Sequence, residues 1–326
     1  MPILQIEDLR KTYRRGFLAR KIQVLKGVSL SLEKGEVYGF LGHNGAGKST
    51  TIKLVLGLLK ADGGGISMFG ESGITPASRS RIGYLSEELG LYPHLNAVEM
   101  LRLVGELFRL RGSVLSRRID ELLTAVGLAD DRRLRIKHYS KGMRQRLGIA
   151  TSLVNDPELL LLDEPYSGLD PVGRRRLREL LLDLKVRGKT ILLSSHIVPD
   201  VEAVCDRVGI LSGGVIARSL DLNEVYRGES DEVEVTVSGV NPADLAADRG
   251  GVEQVMTSEH LTIFRCKGGE NLPPLLAEVY RYRGKVVEVK PLKMNLEDIF
   301  VREITDRSDE RTEDEKKKSD EMAFTK

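Results

Sequence analysis

Nine residues, Gly42-His43-Asn44-Gly45-Ala46-Gly47-Lys48-Ser49-Thr50, constrain this chain more than any other stretch. They follow a short apolar run, Val37 to Leu41, and lead into a segment from Ser49 to Leu59 that reads as a helix. Strand, glycine-rich loop and helix in that order make a phosphate-binding unit. The glycines let the backbone curl so that several N–H groups point inward at phosphate oxygens. The helix that follows presents its positive end to the same place. Gly42, Asn44, Gly45, Ala46, Gly47, Lys48, Ser49 and Thr50 are thus the candidate phosphate contacts. Lys48 can reach the β- and γ-phosphates of a nucleotide, and the Ser49 hydroxyl can bind Mg²⁺. Taken alone, the loop would serve a small-molecule kinase equally well.

A second segment narrows the chemistry. Leu159-Leu160-Leu161-Leu162 is continuously apolar, as a strand buried on both faces of a parallel sheet is. It ends in Asp163-Glu164-Pro165. A strand end delivers Asp163 to the metal side of the site, where it can hold Mg²⁺ through water. Glu164, one residue on, can act as general base on an attacking water. The plain alternative for this segment is a solvated acidic turn.

The rest of the chain alternates. Strands are expected at 1–13, 22–32 and 190–193, and helices at 93–126, 141–154 and 171–186, an order that implies an α/β fold. A basic loop over 14–21 carries Phe17 and Leu18 at its tip. Composition shifts near Gly228. Strands at 232–239, 252–257, 261–267 and 285–291, with helices at 242–247 and 272–283, suggest a split β-α-β-β-α-β unit. A closing helix at 295–304 has Asn295 as cap and Leu296, Ile299 and Phe300 on one face. From Asp306 on, charges of both signs crowd together, and the tail is expected to be disordered.

Bulk properties exclude other classes. No segment reaches the ~18 consecutive apolar residues of a membrane helix, and from Met1 to Arg10 no secretion signal is expected. Formal net charge is +2, which gives no broad pull toward nucleic acid. Cys205 and Cys266 have no metal-site spacing and read as reduced thiols.

The two motifs and the ordered elements around them resemble an ATP-binding-cassette (ABC) ATPase over residues 1–228. Tyr13 stands where that family places an aromatic on adenine, and Glu87 at its glutamine-loop position. Tyr139-Ser140-Lys141-Gly142-Met143 stands at the LSGGQ signature, followed by Gln145 and Arg146. Ser167-Gly168-Leu169-Asp170 matches the D-loop, and His196 after Ser194-Ser195 matches the switch histidine. Each has a plainer reading: Tyr13 as a strand-end aromatic, His196 as a strand terminator, Ser140 and Asp170 as helix caps. Their joint occurrence in order carries the resemblance. Three departures stand out, the first being Glu87, which can bind metal but cannot donate as an amide does. Lys141 replaces the first signature glycine, and Met143 replaces a glutamine whose hydrogen bond a methionine cannot donate.

The resemblance implies an α/β, P-loop NTPase (ABC ATPase) fold with an antiparallel β subdomain and a helical subdomain, plus a small α+β C-terminal domain. It implies domains at 1–228 and 229–305, with the tail at 306–326. Lys48, Glu164 and His196 would be catalytic. Tyr13, the loop residues, Ser140 and Gly142 would contact ATP, and Ser49, Glu87 and Asp163 would bind Mg²⁺. In the family, Ser140 and Gly142 serve the nucleotide of a second copy, so one chain makes half a functional unit. The Ser-Lys-Gly-Met signature and the ending Leu296-Glu297-Asp298-Ile299-Phe300 are similar to sodium and multidrug exporter ATP-binding subunits, which extends the likeness to about residue 305. The expected partner is a polytopic membrane permease, with the chain peripheral on the inner face of the cell membrane. The competing reading is a soluble ABC ATPase acting on ribosomes or DNA. Its translation-factor members carry two cassettes and its chromosome members long coiled coils; neither is present here.

Overall fold

The computed structural model describes residues 2–15, 20–227, 232–241, 251–258, 261–267, 269–291 and 296–303. The tip of the basic loop, the helix expected at 242–247, the Asn295 cap and the charged tail lie outside them. Asn223–Ile299 forms one compact unit, and Met1–Leu222 is the body of the other.

The larger unit starts with two long strands, β1 (Pro2–Arg15) and β2 (Arg20–Glu33), paired antiparallel. β3 (Val37–Leu41), the glycine loop and α1 (Lys48–Val55) follow. Then come β4 (Gly63–Met68), β5 (Glu71–Ser72), α2 (Pro76–Ser80) and β6 (Ile82–Leu85). Helices α3 (Ala97–Leu107), α4 (Gly112–Ala125) and α5 (Lys141–Ser152) pack on one another. The order resumes as β7 (Leu159–Asp163), α6 (Pro171–Val186), β8 (Thr190–Ser195), α7 (Val198–Glu202), β9 (Arg207–Ser212) and β10 (Val215–Asp221); α8 (Leu222–Arg227) opens the smaller unit from Asn223 on.

Two sheets result. The antiparallel sheet runs β2-β1-β4-β5, and the main sheet runs β10-β9-β3-β8-β7-β6. In the main sheet β6, β7, β8, β3 and β9 are parallel, and β10 closes the edge antiparallel. Parallel strands covered on both faces must be apolar throughout. Accordingly every residue of β3, β7 and β8 is buried. One hydrophobic cluster joins the sheets: Leu4, Ile6, Leu25 and Leu32 from the antiparallel layer meet Phe40, Leu161 and Leu192 from the main sheet and Ile52 from α1. Parallel strands place all their carboxyl ends on one edge. The glycine loop, Asp163-Glu164 and Ser195-His196 therefore come to the same edge.

The single helix expected over 93–126 is two helices. Asn96 caps α3 in a reciprocal box with Glu99, which sets the start at Ala97. Arg109 takes a left-handed φ of 65° after α3, and the chain turns before α4. The apolar period runs on through the break because both helices bury a face, through Met100 and Leu101 in one and Leu115, Ile119 and Leu122 in the other.

The smaller unit has β11 (Glu232–Ser238), β12 (Val252–Thr257), β13 (Leu261–Lys267), α9 (Leu272–Arg281) and β14 (Lys285–Pro291). Its antiparallel order is β12-β13-β11-β14. That arrangement of strands is the one a split β-α-β-β-α-β unit makes. Val235, Val237, Phe264 and Cys266 form its core with Leu275 and Val279 of α9. A helix covers residues 296–303, with Leu296 and Ile299 buried. Cys205 and Cys266 are free and buried.

Leu161 tests the central strand. It pairs with Tyr84 and Leu192 in register and is fully buried. Leu161→Ala should lower the unfolding free energy by ~2–5 kcal/mol in urea titration of the full chain. A loss well under ~1 kcal/mol would contradict this packing.

Candidate active site

The glycine loop leaves β3 and turns into α1 through two left-handed residues, Gly45 at φ 83° and Gly47 at φ 112°. Asn44, Gly45, Gly47, Lys48, Ser49 and Thr50 line a cleft of about 470 Å³ with Val24, Glu87 and Glu164. Gly42 and Ala46 are buried behind it, where the Gly42 N–H donates to the Ser195 carbonyl at 3.2 Å and the Ala46 N–H to the His43 carbonyl at 3.2 Å. Those two residues therefore shape the loop. The N–H groups that open α1 are unpaired by the geometry of a helix start, and they are the ones free for an anion.

Lys48 is 5% exposed. Its ammonium donates to the Gly42 carbonyl at 2.6 Å and the His43 carbonyl at 3.3 Å. It also lies 3.2 Å from Glu164 Oε1, an ion pair between two groups with little access to water. The other oxygen, Glu164 Oε2, meets His196 Nδ1 at 2.9 Å. One carboxylate thus bridges the loop lysine and the histidine after β8. His196 keeps 47% of its side chain exposed, so the buried end of this chain is Lys48–Glu164 and the open end is the imidazole.

Glu164 is also unusual in its backbone. Its φ is 49°, a left-handed conformation that costs a non-glycine residue about 1–2 kcal/mol. Hydrogen bonds fix it there. The Glu164 N–H donates to Ser194 Oγ at 3.0 Å, and the Gln145 amide donates to the Pro165 carbonyl at 3.0 Å. The Ser194 hydroxyl in turn donates to Asp163 Oδ1 at 2.7 Å. Asp163 is 1% exposed.

The remaining expected residues sit apart from the cleft lining. Tyr13 is on β1, 37% exposed, with the Lys11 ammonium 5.8 Å from its ring centre. Ser140 caps α5: its oxygen accepts the Met143 N–H at 3.1 Å, which leaves its own proton free to donate. A Cβ added to Gly142 would stand 3.6 Å from the Gly168 carbonyl, so the signature helix start lies against the D-loop. Asp170 caps α6 through the Gly173 N–H at 2.7 Å, with Pro171 in the first turn.

Three residues escaped sequence reasoning as parts of this site. Ser194 and Gln145 stood beside motifs with no role of their own. Asp200, in α7, is buried and takes Arg174 Nη1 of α6 on both oxygens at 3.1 and 3.2 Å. Burial pushes its carboxyl above the usual range, and Arg174 and Arg178 oppose the rise. An acid four residues after a histidine carries no signal until α6 and α7 are seen together.

The ABC transporter family description matches residues 25–167. An uncharacterized ABC transporter ATP-binding protein of Nostoc sp. (strain PCC 7120) is 40% identical over 93% of this chain and 90% of its own length. The chain belongs to the ABC transporter family. Another relative, a fluoroquinolones export ATP-binding protein of Mycobacterium tuberculosis, is 39% identical over 73% of this chain and 81% of its own. Among solved structures, the dimeric post-hydrolysis state of the cassette MJ0796 with ADP and Pi is similar at a TM-score of 0.62 and 27% identity, covering 67% of this chain and 98% of that one. As an ABC ATPase, the chain binds and hydrolyses ATP, and its fold is the P-loop NTPase fold of that family.

The two left-handed glycines separate backbone strain from collision. A side chain at Gly45 meets nothing within 4 Å, whereas one at Gly47 would stand 2.5 Å from Leu25 Cδ2. Gly47→Ala should therefore weaken ATP binding far more than Gly45→Ala, which bears only the ~1–2 kcal/mol of backbone strain. Titration with a fluorescent ATP analogue reads both, and equal losses would refute the distinction.

Proposed function

We propose that this chain is the motor subunit of an ABC exporter, paired with a second copy or a homologous ATP-binding subunit and with a polytopic membrane permease. The observation that carries the reading is the Glu164 carboxylate shared between Lys48 and His196 at the carboxyl edge of the sheet. The names of the relatives, the mycobacterial export protein among them, support export. The MJ0796 dimer supports a second copy. Among the described residues no helix is long and apolar enough to cross a membrane, so the permease would supply the attachment to the inner face of the cell membrane. Residues 1–228 would form the ATPase domain and 229–305 a domain for dimer stabilisation or regulation, with its own core.

ATP phosphates bind the loop formed by Asn44, Gly45, Gly47, Lys48, Ser49 and Thr50, with Gly42 and Ala46 holding its shape. Tyr13 stacks on the adenine. The γ-phosphate competes with Glu164 for the Lys48 ammonium. Glu164 then takes a proton from water, whose oxygen attacks the γ-phosphorus, and ADP leaves. His196 fixes the carboxylate and offers its exposed edge to the transferred group. The Ser49 hydroxyl and the Asp163 and Glu87 carboxylates are hard oxygen donors of the kind Mg²⁺ prefers. When bound there, Mg²⁺ would neutralise phosphate charge.

Glu164→Gln should retain ATP binding and lose turnover by ~10²–10⁴-fold, trapping an ATP-bound dimer in size-exclusion chromatography. Near-normal hydrolysis by that variant would remove Glu164 from the role of base.

Ser140 and Gly142 would serve the nucleotide of the partner copy. Within one chain a side chain at Gly142 meets only ordinary contacts, so Gly142→Asp should fold and bind ATP. It should still block dimer closure, because a carboxylate would face phosphate across the interface. Mixing it with Lys48→Ala should restore part of the activity, since one composite site then has both residues intact. Normal hydrolysis by Gly142→Asp alone would refute the shared site.

A further inference from the structure

Asp163 and Ser194 are register partners in the parallel pair of β7 with β8. The Ser194 side chain is fully buried and reaches across to the next strand. Its oxygen accepts the Glu164 N–H at 3.0 Å while its proton goes to Asp163 Oδ1 at 2.7 Å. The direction of both bonds is fixed by chemistry, because a backbone N–H can only donate and a carboxylate can only accept. On the other side of Glu164, the amide of Gln145 in α5 holds the Pro165 carbonyl at 3.0 Å. Both flanks of the left-handed residue are thus gripped from different elements, and Gln145 is itself buried.

We infer that Ser194 is a positioning residue for the hydrolytic base, with one hydroxyl fixing the Glu164 backbone and the Asp163 carboxylate together, an inference that rests on Glu164 being the base. An alanine at 194 leaves the buried Glu164 N–H and Asp163 Oδ1 each without that partner. Without that anchor the Glu164 backbone is no longer held in its left-handed conformation. Rotation about φ swings the side chain, so the carboxylate leaves its place between Lys48 and His196. A misplacement of about 1 Å is enough for roughly a hundredfold loss of rate. ATP affinity should hold, because Ser194 is not among the residues lining the loop cleft.

The test uses the purified full-length protein. Ser194→Ala should lower kcat about tenfold to a hundredfold with KM for ATP changed by less than about threefold. Ser194→Thr, which keeps the hydroxyl, should recover most of kcat. In a Glu164→Gln background, adding Ser194→Ala should cost single-turnover hydrolysis a clearly smaller fold-loss than in the parent, because one of the two groups it holds is already disabled. A kcat within about twofold of the parent, an equal rise in KM, no recovery by threonine, or the same fold-loss in the Glu164→Gln background would each overturn the inference. If Glu164→Gln itself hydrolyses normally, the reading of the base fails first and separately. Should Ser194→Ala not fold in a thermal melt, the near-isosteric Gln145→Met releases the other flank. It should show the same kcat-only loss, and an unchanged kcat there would count against the inference.

Discussion

Lys48 is an ammonium with almost no access to water, and the edge of the main sheet is organised around holding that charge. Two carbonyls of its own loop and one oxygen of Glu164 surround it. A buried cation without such partners would be strongly destabilising. The loop carbonyls are available only because the chain curls back at Gly45 and Gly47. The carboxylate is available only because Glu164 turns left-handed at the end of β7. Each unusual backbone angle at this edge thus places a partner for one charge.

Parallel register makes the arrangement possible. β3, β7 and β8 run in the same sense and end at the same edge, so three loops from distant parts of the chain meet without long connections. The strands contribute little polar chemistry along their length. They are uniformly buried, and apart from Thr190 at the start of β8 their charged and hydroxyl residues other than tyrosine lie where they stop: Asp163 on β7, Ser194 and Ser195 on β8. The apolar interior fixes the strands, and the strands fix the distances at the edge.

This division explains what could be read from the sequence. The phosphate loop, the Leu159–Leu162 run and the helix starting at Asp170-Pro171 were legible because each is specified locally, by glycine spacing, by continuous apolarity and by a cap. β4 was not legible, since nothing local in Gly63-Gly64-Gly65 favours a strand. It becomes a strand by pairing with β1 across a register shift between Glu7 and Arg10. The break between α3 and α4 was hidden because both helices keep the same apolar period. The bridge from Lys48 through Glu164 to His196 could be suspected from family likeness, but its atoms belong to three separated segments. Ser194 was visible only as a letter before a histidine, and its meaning comes from being opposite Asp163 in the sheet.

The departures at the signature can be judged on the same physical terms. What the proposed shared site asks of α5 is an open helix start that attracts an anion, and this depends on backbone N–H groups and not on the side chains of residues 141 and 143. Ser140 caps that start with an acceptor bond and retains its proton for donation. Replacing the first signature glycine by lysine adds a cation at the end of the helix that favours anions. The methylenes of Lys141 lie over Gly168, so its stem is already seated against the D-loop. Methionine at 143 removes a donor but keeps the Met143 N–H that Ser140 caps. The two substitutions therefore change which side-chain contacts the partner's nucleotide would find, while the capped helix start that would receive its phosphate is present.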